Sequence, residues 1–155
     1  MVNSSWCSFQ SNSLSKVGTM EPVAPKRILV IDDEANVRIV VRTCLEILRE
    51  WEVLLAASGH EGLLLAQTER PDAILLDVMM PGMDGVAFVR ELQANPKVRA
   101  IPVVFLTAKA ELTQPRQFQA LGVKGAIAKP FNPLTLHDQI AISLGWNQVV
   151  ASISL

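Results

Sequence analysis

A chain of 155 residues, half of them hydrophobic and 19% charged, has room for one packed domain and a tail, and is too apolar to remain unfolded. Its formal net charge of −1 gives no global basic field for nucleic acid or an anionic membrane. No apolar run reaches the roughly 18 residues of a membrane span, so direct partners of either kind are not expected.

Residues 1–19 are rich in Ser and Asn, with Trp6, Phe9 and Leu14 out of any period. They lack the basic start and the apolar stretch of about 7–15 residues that a secretory signal needs. Residues 1–25 are expected to be disordered or loosely attached, with Met20 a candidate natural start. The domain is expected over 26–146, followed by a short tail, 147–155. Cys7 and Cys44 have neither metal-ligand spacing nor a Cys-x-x-Cys arrangement, a usage that fits a reducing cytoplasmic location. Cys44 falls on an apolar helical stripe and reads as an inert core thiol.

From Lys26 onward, apolar runs alternate with amphipathic segments. Ile28-Leu29-Val30-Ile31 reads as a buried strand ending at Asp32-Asp33. Val37, Val40, Val41, Cys44 and Leu48 then recur at helical spacing. Trp51 to Ala57 reads as a second strand, and Ser58 as the N-cap of a helix that Pro71 ends near Arg70. Ala73-Ile74-Leu75-Leu76 is a third strand, finishing at Asp77. The loop from Val78 to Asp84 carries the turn signal Pro81-Gly82, and a helix follows to about Ala94. Ile101 to Leu106 is a fourth strand ending at Thr107, followed by a helix over 111–121 that stops at Gly122. Lys124 to Ala128 is a short fifth strand ending at Lys129-Pro130. Asn132-Pro133 reads as an N-cap with proline at the first helical position, and Leu136, Ile140 and Leu144 mark the core side of that last helix.

Five strand-then-helix units imply an α/β fold: a doubly wound, five-stranded parallel sheet covered by helices on both faces. Such sheets bind ligands outside the carboxyl ends of their strands. Asp32-Asp33, Asp77, Thr107 and Lys129 all fall at such ends, so they are expected on one rim. Clustered carboxylates repel one another unless a cation joins them. Hard oxygen ligands at a solvent-facing rim favour Mg²⁺, which keeps waters and recruits phosphate oxygens. With a metal, the Lys129 ammonium and the Thr107 hydroxyl to neutralise a transferring phosphoryl group, one carboxylate can act as nucleophile. Asp77 is the best placed, being single and central. Each residue has a plainer reading alone: Asp-Asp as a helix cap, Thr107 as a strand-end threonine, Lys129 as a solvated charge. Their joint placement at four strand ends favours the reactive reading.

At these positions the sequence resembles the receiver domain of bacterial response regulators, the family of the chemotaxis response regulator. The likeness rests on Ile28 to Glu34, Pro71 to Gly85, Thr107-Ala108-Lys109 and Lys129-Pro130-Phe131, and covers about residues 26–145. It implies a (βα)5 flavodoxin-like fold with strand order 2-1-3-4-5. It also implies Mg²⁺-dependent phosphotransfer to Asp77 from a histidine kinase or a histidine phosphotransfer protein. By position, Asp33 would bind the metal directly, Asp32 mostly through water, Asp77 as acceptor and ligand, and Met79 by its backbone carbonyl. Thr107 and Lys129 would contact the phosphoryl group, and the peptide before Pro130 would be cis. The domain would be a switch rather than a turnover enzyme, acting on an unidentified protein target or as a phosphorelay intermediate.

One departure stands out. Three residues before the lysine the family usually has Tyr or Phe, and here that residue is Ala126. Either Thr107 and the 111–121 helix relay the signal through other contacts, or the conformational response is small; Ala126 is expected to leave the face of the fourth and fifth strands partly preformed. Met79 beside Asp77 is expected to hinder an attacking water and prolong the acyl phosphate, with Lys109 two residues after Thr107 also flanking the site, while the small Ala108 leaves the approach open. His60 and His137 read as surface residues, one of Leu63, Leu64 and Leu65 is expected to be exposed, and Trp146 could pack on the domain end. Two rivals are weighed. An aspartate-dependent phosphatase wants a second aspartate two residues after the nucleophile, where this chain has Met79. A pseudo-receiver that binds partners without phosphate would usually lack one of the site residues. With about ten residues after the last helix, no output domain is expected within this sequence.

Overall fold

The computed structural model describes residues 24–146. The expectations for residues 1–23, including Cys7 and the start at Met20, and for 147–155 lie outside the described residues.

Five parallel strands form one sheet in the order 2-1-3-4-5: β1 (Arg27–Ile31), β2 (Glu52–Ala56), β3 (Ala73–Asp77), β4 (Val103–Thr107) and β5 (Gly125–Ala128). Helices α1 (Ala35–Arg49), α2 (Gly59–Glu69), α3 (Gly85–Gln93), α4 (Pro115–Ala120) and α5 (Leu136–Leu144) connect and cover them. The central strands β1, β3 and β4 are buried almost throughout, which is why their sequences are continuous apolar runs rather than alternating ones. One face packs Leu29, Ile31, Leu76 and Phe105 against Ala66, Phe88, Leu92 and Phe118. The other packs Ile28, Val30, Leu75 and Leu106 against Val41, Leu45, Leu136 and Ile140.

Local chemistry sets several boundaries as expected. The Ser58 hydroxyl accepts a hydrogen bond from Glu61 N at 3.1 Å, and the Glu61 carboxylate accepts one from Ala57 N, so α2 starts under a reciprocal cap. The Asp84 carboxylate caps α3 through Ala87 N. Leu64 is the exposed leucine of its triplet, at 61%.

Other elements differ. The buried face of α1 is centred on Val41 and Leu45, whereas Val40 and Leu48 are partly exposed, because a stripe counted by spacing alone does not fix which way the helix rolls onto the sheet. Cys44 is half-buried rather than central; burial raises its thiol pKa, which keeps it protonated and unreactive. The expected 111–121 helix is two pieces, a 3₁₀ turn at Ala110–Thr113 and then α4, because Pro115 occupies the first helical position and supplies no N–H to continue from the turn. The last helix begins at Leu136, not after Asn132. The Asn132 side chain instead accepts from Leu134 N, and its carbonyl accepts from Thr135 N and Leu136 N, forming a separate turn.

Away from the rim, Trp146 packs edge-on against Trp51 at 5.4 Å, with the Lys26 ammonium 4.7 Å from its ring centre. His137 is not a free surface residue. Its Nδ1 accepts from Arg49 Nε at 2.8 Å, tying α5 to the end of α1.

Candidate functional site

Parallel pairing puts the carboxyl ends of all the strands on one edge, and the chemistry follows. Asp32 and Asp33 come directly after β1, Asp77 ends β3, Thr107 ends β4 and Lys129 follows β5. The sequence-predicted residues are therefore brought together. Asp32, Asp77 and Thr107 are buried, at 0%, 4% and 0% exposure, whereas Asp33 and Met79 face solvent. Carboxylate oxygens of Asp32, Asp33 and Asp77 lie within 4.8 Å of one another.

Asp32 has every polar group matched. Its N–H donates to Ala56 O, and its carbonyl accepts from the Arg38 guanidinium at 2.8 Å. One carboxylate oxygen accepts from Glu34 N at 2.8 Å and the other from Lys129 Nζ at 3.0 Å. The capping reading of the acid pair fails, since neither side chain bonds a backbone N–H within α1. Arg38 and Glu34 were missed by sequence reasoning. The available signal was a cation one turn into the helix that follows the acid pair.

Lys129 Nζ also lies 3.5 Å from Asp77 Oδ1 and 3.9 Å from Glu34 Oε1. Asp77 Oδ1 accepts from Met79 N at 3.2 Å. Burial first, and then the charge of Asp32, push the Asp77 carboxyl up to about 6, against the opposing pull of Lys129 and the Met79 N–H. Burial works against the Lys129 ammonium, but its hydrogen bond to Asp32 and the charges of Asp32 and Asp77 outweigh it and raise the group above the usual lysine value. One ammonium does not neutralise the carboxylates gathered here. An oxygen-rich cluster with one solvent-facing member, Asp33, fits a hard divalent cation that retains water.

The loop after β3 is closed by Gly85. Its N–H donates to Val78 O at 2.8 Å, and a Cβ there would stand 2.8 Å from Val78 Cα, so only glycine permits the approach. This fixes the backbone that carries Met79 over the cluster.

At the end of β4, Thr107 Oγ1 accepts from Lys109 N at 2.9 Å, and the Thr107 carbonyl accepts from Lys129 N at 2.8 Å. The Lys129–Pro130 peptide is cis, as the resemblance implied. Asp33, Glu34, Asp77, Met79, Ala108 and Lys129 line an open cleft of about 280 Å³. Beside it lies a larger, apolar groove of about 530 Å³ between α1 and the segment after β5, lined in part by Val37, Val40, Pro130 and Phe131.

The model of the response regulator receiver domain matches residues 28–141. The chain is 38% identical over 115 residues to the probable transcriptional regulator ycf27 of Cyanophora paradoxa, covering 74% of this chain and 46% of that protein. It thus spans about half the length of such curated relatives. The chemotaxis protein CheY4 of Vibrio cholerae superimposes with a TM-score of 0.70 at 33% identity, covering 77% of this chain and 99% of that one. The receiver domain of the sensor histidine kinase PA1611 of Pseudomonas aeruginosa, solved with a magnesium ion in its active-site cleft, gives 0.67 at 33% identity, over 79% of this chain and 99% of that one. The chain belongs to the response regulator receiver domain family of two-component systems.

Proposed function

We propose that Asp77 accepts a phosphoryl group from a histidine kinase or a histidine phosphotransfer protein, and that this acceptance sets the state of the domain. The observation that carries the reading is a buried strand-end carboxylate, Asp77, held between two further acids and a single ammonium. In the transfer, an Asp77 carboxylate oxygen attacks phosphorus while the phosphorus–nitrogen bond of the donor's phosphohistidine breaks. The electron pair stays on the imidazole nitrogen, and the product is an acyl phosphate.

Asp33, Asp77, the Met79 carbonyl and, through water, Asp32 would hold a Mg²⁺ ion, which neutralises phosphoryl oxygens when bound. Lys129 is anchored by Asp32 within reach of Asp77 and is placed to pair with the incoming phosphoryl group. Thr107 offers a buried hydroxyl at the end of β4, the strand next to that of Asp77. Because the rim groups act once per phosphoryl group accepted, the domain works as a switch. The apolar groove beside the cleft, sharing Ala108 and Lys129 with it, would seat the donor protein so that its phosphohistidine faces Asp77.

Incubation with acetyl phosphate and Mg²⁺, followed by intact mass, tests the reading. The wild type is expected to gain one phosphoryl group, and Asp77→Asn none. Equal labelling of both would refute it. Met79 stands exposed at the mouth of the cleft and is expected to slow hydrolysis of the acyl phosphate by excluding water. A Met79→Asn variant that keeps its phosphoryl group longer than wild type would contradict this role.

A further inference from the structure

We infer that Arg38 is a positioning residue for the cation site: its guanidinium, held on the Asp32 carbonyl, sets where Asp33 presents its carboxylate. The inference rests on the reading above that the acid cluster takes Mg²⁺, and it names a residue of α1 on which that affinity depends.

Asp32 and Asp33 lie in a short irregular link, since β1 ends at Ile31 and α1 starts at Ala35. Asp32 is locked within it by its N–H on Ala56 O and by both carboxylate oxygens, on Glu34 N and Lys129 Nζ. Asp33 is different. It faces solvent, and among the described residues its carboxylate has no hydrogen bond or ion pair to orient it. Its direction is therefore set through the two peptide units that flank it. The unit after it is held where Glu34 N donates to the Asp32 carboxylate. The unit before it is held where the Asp32 carbonyl accepts from Arg38 Nη1 at 2.8 Å. A peptide unit is a rigid plane. With the rest of Asp32 fixed, the direction of its carbonyl decides where the Asp33 Cα lies.

Arg38 is suited to this hold. It sits one turn into α1, and its backbone N–H donates to Glu34 O at 3.1 Å, so main chain and side chain both reach back over the same link. The N-cap residue Glu34 makes no side-chain cap bond, which leaves Arg38 to fasten the helix start to the acid pair. A guanidinium paired with a carboxylate would compete with a cation for its oxygens. On the Asp32 carbonyl it orients the backbone without occupying a proposed ligand atom. Asp33 is then in place before the cation arrives, so less freedom is lost on binding.

Charge and position act in opposite directions here. A guanidinium near the cluster repels Mg²⁺, so removing its charge alone would tighten binding. Releasing the Asp32–Asp33 peptide would weaken it.

The test is an amide NMR titration of the full chain with Mg²⁺ alone. It is read on folded-state resonances at Asp33, Asp77 and Thr107, so that loss of stability does not enter the affinity. Arg38→Met, which keeps an unbranched stem and removes the donors, is expected to weaken Mg²⁺ binding about tenfold, as loss of an outer partner of a metal ligand does. Arg38→Gln, too short to span the same gap, is expected to do the same and serves if the Met variant does not fold. Arg38→Lys keeps the charge and a donor for a contact made through one nitrogen, and should stay within about threefold of wild type. Arg42→Met, which removes an exposed cation one turn further along α1, should not weaken binding. Neutral Arg38 variants that bind as tightly as wild type, or more tightly, would overturn this inference alone, as would an Arg42→Met loss equal to that of Arg38→Met. A wild type with no Mg²⁺-dependent shift at Asp77 would overturn the metal reading and this inference with it.

Discussion

The two edges of the sheet carry charge in opposite ways. At the amino-terminal edge, Arg27 lies 3.1 Å from Glu52 and 2.9 Å from Glu69, and its backbone N–H donates to Asp72. Those acids are well exposed, at 55% and 42% for the two glutamates, so water screens whatever Arg27 leaves unmatched. At the carboxyl-terminal rim, Asp32 and Asp77 are buried, and Lys129 serves both. There burial first, and then the charge of Asp32, raises the Asp77 carboxyl, with Lys129 pulling the other way. Acidic clusters alone are common. What separates a site from a surface here is that the rim's imbalance is enclosed, and enclosure makes it costly enough to recruit a cation or a proton.

Changing the support beneath the rim should give the largest effect. Gly85→Val would drive a side chain into Val78, and overpacking against backbone is expected to cost about 2–3 kcal/mol in denaturant unfolding, with loss of phosphoryl uptake. A variant with wild-type stability and uptake would show that the loop after β3 tolerates rearrangement.

Neutralising the enclosed charge should stabilise. An acid whose folded pKa exceeds its unfolded value binds more protons folded than unfolded between about pH 4 and 6, so stability contributed by this group falls as pH rises through that window. In metal-free protein at pH 7, Asp77→Asn is expected to be more stable than wild type by about 1–2 kcal/mol and to lose that pH slope. Millimolar Mg²⁺ should raise the wild-type melting temperature and narrow the gap. An Asp77→Asn protein less stable than wild type without metal would break the contrast between the edges.

At the other edge, Arg27→Ala removes a network that is mostly exposed. A loss of about 1 kcal/mol, shrinking with added salt, is expected, with phosphoryl uptake unchanged. A salt-insensitive loss would mean that Arg27 acts by packing. The smallest effect concerns Glu50, the left-handed residue that ends α1 at φ 58°. Glu50→Gly relieves that conformation and should gain about 0.5–1 kcal/mol by thermal unfolding, without touching either edge's charges.

Much of the fold was legible in the sequence because it is written in local terms. Buried parallel strands demand apolar runs, helices demand amphipathic spacing, and Ser58 caps where its chemistry requires. The candidate site was legible for a related reason. Once the strands are parallel, the residues that follow them share an edge, so Asp32, Asp33, Asp77, Thr107 and Lys129 could be gathered without coordinates. Spacing could not decide how α1 rolls onto the sheet, and it buried Leu45 where Leu48 had been expected. It likewise could not show that His137 is held by Arg49 of another helix. Nor could it show that Asp32 is saturated by Arg38, Glu34 and Lys129, or that a 3₁₀ turn precedes Pro115 where a continuous helix had been read. These depend on contacts between segments distant in the chain. Their energies arise from burial and partner geometry, which exist only once the elements have packed.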